Sequence, residues 1–129
     1  MTRKIKFRGK DEQGEWQEGH LLVQLGTHYI LTPIWEMYRN EYVETDRSTK
    51  HRVSACTVSQ FTGLLDKNGR EIYEGDIVKS TFTTYIVTWD KECACFSLKE
   101  DNTPHLLADY IDDIEVVGNI YDNPELLNK

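Results

Sequence analysis

The sequence has no run of apolar residues longer than four. A membrane-spanning helix needs about 20, so a helical span is excluded. The basic residues Arg3 and Lys4 are followed by no apolar segment, which argues against a secretory leader. Proline is scarce, at Pro33, Pro104 and Pro124 only, and no segment is low in complexity. The three cysteines, Cys56, Cys93 and Cys95, are odd in number and too few for a disulfide framework. Reduced thiols in a cytoplasm are expected. Cys93-Ala94-Cys95 lacks the C-x-x-C spacing of redox and zinc sites. In a strand both sulfurs would pack on one face. Zinc wants four ligands and His105 offers no paired second histidine, so no metal or other cofactor is expected.

Net positive charge is also missing. Fifteen Lys+Arg against 22 Asp+Glu leave −7. The split is uneven: residues 1–52 hold nine basic and eight acidic side chains, and residues 53–129 hold six and fourteen. Nucleic-acid-binding domains are usually net basic, which disfavours nucleic acid as a partner. The strip Arg3, Lys4, Lys6 and Arg8 is the one place for a phosphate contact.

Catalytic signatures are absent from the pattern. His20, His28, His51 and His105 are scattered, and there is no His-x-x-x-His, no Gly-x-Ser-x-Gly and no phosphate loop. Asp66, Glu74 and Asp76 flank one hairpin, and as a cation site they would make the chain a metal-dependent hydrolase. Their spacing matches no calcium loop. The expectation is a protein that is not an enzyme.

What is present is strand signal. Lys4-Ile5-Lys6-Phe7-Arg8 alternates, with Ile5 and Phe7 inward and the cations outward. Asp11-Glu12-Gln13-Gly14 reads as a turn. A strand follows from Trp16 to about Leu25, bent at Gly19. Gly26-Thr27 turns the chain into His28-Tyr29-Ile30-Leu31. Residues 33–52 have no sustained period and read as a loop or a short strand pair, with Asp46 to Arg52 a candidate mobile loop. Asp66-Lys67-Asn68-Gly69 then joins two apolar segments. Asn-Gly there is a hairpin signal, because a tight turn of that kind wants positive φ at both residues. Strands follow at about Ile77 to Thr83, Tyr85 to Trp89, Cys95 to Leu98 and Ile114 to Tyr121. A helical turn is expected within Pro104 to Tyr110, and another starts at Asn123-Pro124.

Short strands with turn signals every 8–12 residues suggest a small sandwich or barrel. The expected class is mainly β, or α+β if the helical turns count. Residues 1–52 form a small antiparallel sheet with a variable loop region. Residues 53–129 hold the hairpin and an SH3-like, partly closed barrel of about five short strands over residues 76–121.

The segment from Thr57 to Val78, with Gln60-Phe61-Thr62-Gly63-Leu64, Asp66-Lys67-Asn68-Gly69, and Ile72-Tyr73-Glu74-Gly75-Asp76-Ile77-Val78, resembles the signature of the YopX family. Lys6-Phe7-Arg8-Gly9-Lys10, Gly14-Glu15-Trp16 and Gly19 resemble its opening. Glu115-Val116-Val117-Gly118-Asn119-Ile120-Tyr121-Asp122-Asn123-Pro124-Glu125-Leu126-Leu127 resembles its close. Ser59 and Leu65 depart from the pattern. The resemblance implies a small phage- or prophage-encoded protein of a bacterial cytoplasm, with a mostly β fold, a barrel-like C-terminal part and no established activity.

In the shared motif, turn chemistry accounts for Gly63, Asp66, Asn68, Gly69, Gly75 and Asp76. It does not demand Gln60, Thr62, Tyr73 or Glu74, which form a candidate interaction surface. A second candidate is the acidic patch Asp109, Asp112, Asp113 and Glu115, suited to a basic partner. The expected role is protein binding or assembly, with a homo-oligomer as first partner and a host or phage protein as second. A modulator of a host protein, a nucleic-acid accessory and a metal-dependent hydrolase are the alternatives, and no membrane contact is expected.

Overall fold

A computed structural model describes residues 4–100 and 103–127. Strands take 61% of the described residues and helical turns 8%, so the class is mainly β. The chain divides into two compact units, and the division falls between Gln60 and Phe61.

The N-terminal unit holds β1 (Phe7–Lys10), β2 (Trp16–Gln24), β3 (Thr27–Tyr38), β4 (Glu41–Val53), a 3-10 turn (Ala55–Thr57) and the start of β5 (Ser59–Leu65). All pairings are antiparallel, in the order β4-β3-β2-β1-β5. Gly19 lets β2 and β3 approach: a Cβ there would lie 2.0 Å from the carbonyl oxygen of Leu31. Positive φ at Leu25 and Gly26 makes the β2–β3 turn, one residue earlier than the sequence suggests. Ile30 and Val53 are the buried apolar pair of this unit.

Two expectations need correction here. Residues 33–52, read as a loop or short strand pair with a mobile Asp46 to Arg52, are one long hairpin of β3 and β4. Its turn is Arg39-Asn40, both at positive φ. The alternation at the N-terminus is also inverted. Ile5 is exposed and precedes β1, whereas Arg8 is only 9% exposed. The Arg8 guanidinium lies 4.7 Å from the Trp16 ring centre, a face that accepts a cation.

The C-terminal unit runs from Phe61. It carries the rest of β5, then β6 (Glu71–Tyr73), β7 (Asp76–Lys79), β8 (Thr84–Asp90), β9 (Cys95–Glu100), β10 (Thr103–Leu106), a 3-10 turn (Leu107–Asp109), β11 (Glu115–Asn119) and a 3-10 turn (Pro124–Leu127). Five strands form an antiparallel sheet in the order β10-β9-β8-β7-β11. The edges do not meet, so the expected barrel is an open sheet. Alternate strand residues Val78, Tyr85, Val87, Leu98 and Val116 point into one core with Ile72, Leu107 and Ile114. Cys93 is exposed in the β8–β9 turn, where Ala94 takes positive φ. It therefore does not share a strand face with Cys95, the first residue of β9.

Candidate protein-interaction surface

The turn between β5 and β6 is built by its own side chains. Gly69 donates to the Asp66 carbonyl at 3.0 Å, and Gly69 alone takes positive φ. Lys67-Asn68 is thus a turn closed by one left-handed glycine, and the expected pair of positive-φ residues is absent. Asp66 is 7% exposed. Its Oδ1 accepts from the amides of Asn68 and Arg70, both at 2.9 Å, and its Oδ2 from the Val116 amide at 2.8 Å. Burial pushes the carboxyl up, but the amides of Val116, Arg70 and Asn68, with the Arg70 charge, outweigh it and hold the group below its ordinary value. Asp76 is 2% exposed and its Oδ2 accepts from the Tyr73 amide at 2.8 Å.

These carboxylates hold backbone. Among the described residues no group of three or more His, Cys, Asp or Glu is placed to hold a metal ion. Asp66, Glu74 and Asp76 are therefore not gathered into a cation site.

The exposed surface expected from Gln60, Thr62, Tyr73 and Glu74 does not form as such. Thr62 is buried, donating to the Ile72 carbonyl at 2.8 Å and accepting from the Leu64 amide at 3.2 Å. Tyr73 is buried with its ring 5.4 Å from that of Phe61. Gln60 and Glu74 are half-buried. Of the basic strip, Arg3 lies outside the described residues, Lys4 is exposed, Lys6 is half-buried and Arg8 is buried. The acidic patch is better placed. Asp109, Asp112 and Asp113 are exposed around the turn before β11, and Glu115 accepts from the Asn68 side chain at 3.2 Å.

An open cleft of about 590 Å³ is lined by Asp11, Thr27, His28, Arg52 and Ser54, among others. Of its two carboxylates, Asp11 and Glu12, the first is already committed: Asp11 accepts from the Gln17 side chain and from the amides of Glu15 and Gln13. Those bonds, Gln17 foremost, hold it below its ordinary value.

The surface that sequence reasoning missed is the far half of the β3–β4 hairpin. Beyond Leu31, β3 pairs with β4 but no longer with β2, so the hairpin continues as a two-stranded arm. Trp35 and Met37 stand opposite Glu44 and Tyr42 on one face, and Glu36 and Tyr38 opposite Val43 and Glu41 on the other. Trp35 is 54% exposed, Met37 59%, Tyr38 59% and Tyr42 70%. A bulge in β4 over residues 45–47 is pinned by the Thr45 hydroxyl, which donates to the Ile34 carbonyl at 2.6 Å, and by the Arg47–Glu36 ion pair. The signal that locates the arm is apolar content at Trp35, Met37, Tyr38, Tyr42 and Val43 around a polar Arg-Asn pair.

Fold and surface together define a small mainly β protein with an apolar, solvent-facing arm. The chain belongs to the YopX family, whose model (YopX protein) matches residues 6–128. A solved structure, protein EF1440 from Enterococcus faecalis, matches with a TM-score of 0.57 at 22% identity, over 98% of this chain and 100% of that one. That likeness concerns the fold. Comparison with curated protein sequences returned no match.

Proposed function

We propose that this is a phage- or prophage-encoded, non-catalytic protein-binding module of the bacterial cytoplasm that makes its contacts through the β3–β4 arm. The observation that carries the proposal is the exposure of Trp35, Met37, Tyr38 and Tyr42 on a ribbon only two strands wide. A two-stranded ribbon is at best marginally stable in water alone. Exposed aromatic and Met side chains grouped on one element are enriched at protein contacts. A soluble setting is consistent with the finding that no described helix is long and apolar enough to cross a membrane.

The test is a photo-crosslinking side chain at Met37, with the same group at exposed Lys67 as control, in nuclease-treated bacterial extract. Protein adducts at position 37 that are absent at 67, and that vanish with Trp35→Ser and Tyr42→Ser, are expected. Equal yields at the two positions would overturn the proposal. The exposed Asp109, Asp112 and Asp113 support a second reading, a modulator that grips a basic host protein. A probe at Asp112 in the same extract would give the dominant adduct if that reading holds.

A further inference from the structure

Strand β4 ends its sheet. Among the described residues nothing pairs with its outer edge until Val53, which bridges Asp11. An open edge of this length is a template for another strand. The charges along it are sorted. Glu41, Glu44 and Asp46 occupy the first half, and Arg47, Lys50, His51 and Arg52 the second. All of these except His51 are exposed.

We infer that the partner of this edge is β4 of a second copy, paired antiparallel about a two-fold axis at Ser48. This deepens the arm reading above and rests on it. An antiparallel pair lays the acidic half of each strand against the basic half of the other. The register follows from two constraints. A two-fold axis normal to the sheet keeps the faces matched, so residues directly opposite must share a face. Glu44 lies opposite Trp35, and Lys50 and Arg52 lie opposite Leu31 and Tyr29, which places Glu44, Lys50 and Arg52 on one face. Like charges must also avoid each other. An axis at Asp46 sets that carboxylate against itself, and an axis at Arg47 sets guanidinium against guanidinium. The bulge over residues 45–47 fills one ladder position, so an axis at Ser48 sets Glu44 opposite Lys50, a pair that occurs twice, and puts the bulge with Asp46 and Arg47 opposite Thr49, with no like-charge pair. The joined sheet also brings the Trp35, Met37 and Tyr42 faces of both copies to the same side.

The test uses purified full-length protein and charge reversal. One variant carries Glu44→Lys with Asp46→Lys, and a second carries Lys50→Glu with Arg52→Glu. Sedimentation at about 50 µM should show the wild type as a dimer that loosens with added salt. Each variant should dissociate by more than about tenfold, because both Glu44–Lys50 pairs become like-charge pairs and the two halves of the edge take one sign. An equimolar mixture of the two should form a heterodimer, and the chain carrying all four changes should regain the homodimer. Circular dichroism confirms that each variant is folded. A monomeric wild type, or a dimer indifferent to the reversals, would overturn the inference. The two proposals fail separately. A monomer whose position 37 crosslinks to a foreign protein ends this one and keeps the arm reading. A charge-dependent dimer with no arm-specific adduct in extract does the opposite.

Discussion

Asp66 ties a turn to a strand whose bonded amide lies 50 residues further on. Asp66→Ala removes the acceptor of three backbone N–H groups. The Val116 amide is the costly one, since its residue is only 8% exposed. An orphaned buried donor costs about 1–3 kcal/mol. The amides of Asn68 and Arg70 belong to exposed residues, where water replaces the carboxylate, and each adds roughly 0.5–1 kcal/mol. The expected loss is about 3 kcal/mol, a large share of a small domain's stability. Asp66→Asn keeps one acceptor oxygen but turns an NH₂ group toward a backbone N–H, and costs about 2 kcal/mol. The pH dependence has a definite sign. A carboxyl held below its ordinary 3.8 in the fold contributes stability that is complete above that value. The contribution is lost as pH falls through the folded value. Urea unfolding followed by circular dichroism, at pH 7 and again in the acid range, measures both effects. The gap between wild type and Asp66→Asn should narrow below about pH 4. A loss under about 1 kcal/mol for Asp66→Ala at pH 7, or a gap that does not change with acid, would refute the assigned role.

Three further substitutions probe other parts of the chain. Gly19→Ala places a methyl 2.0 Å from the Leu31 carbonyl oxygen and must push β2 away from β3; thermal unfolding should show a loss of about 2 kcal/mol or more, and a neutral result would mean the strands part without strain. Leu98→Ala opens a void at a fully buried position and should cost about 3 kcal/mol in the same assay. The Asp90 charge, followed by its side-chain bond to the thiol, raises Cys93 above its ordinary value of 9.0. Asp90→Asn should therefore speed iodoacetamide alkylation of Cys93 near neutral pH, and an unchanged rate would show that the carboxylate does not act on the thiol.

The C-terminal sheet is legible where turn chemistry and burial agree. Val78, Tyr85, Val87 and Leu98 sit on alternating strands bounded by turn residues, and each is buried. The local bonds of Asp66 to Asn68 and Arg70 follow from spacing alone. Its bond to Val116 does not, because nothing in a short motif says which distant strand will return beside it. Barrel closure is hidden for the same reason. Short alternating strands are compatible with an open or a closed sheet, and the edges of this one remain β10 and β11. Arg8 misleads because alternation assigns cations outward, while a neighbouring strand supplies an indole face on which its guanidinium can be buried.

The arm is the instructive failure. Period-2 reading works when one face of a strand meets a core and the other meets water. Residues 33–50 have no such asymmetry, because both faces of the arm meet water over most of its length. Apolar residues therefore fall on both faces, Trp35 and Met37 on one and Tyr38 and Val43 on the other, and the period vanishes. With no core to fix the pairing, the register has to come from local devices. Arg39 and Asn40 supply the two positive-φ residues of a tight turn, and the Thr45 hydroxyl pins the bulge to Ile34. Among the described residues, such a strand leaves its outer edge without a paired strand up to Val53. Sorted charge and exposed aromatic side chains can then persist on β4 and β3 without loss to the fold, which is the physical reason to look for the contact surface where the hydrophobic period breaks down.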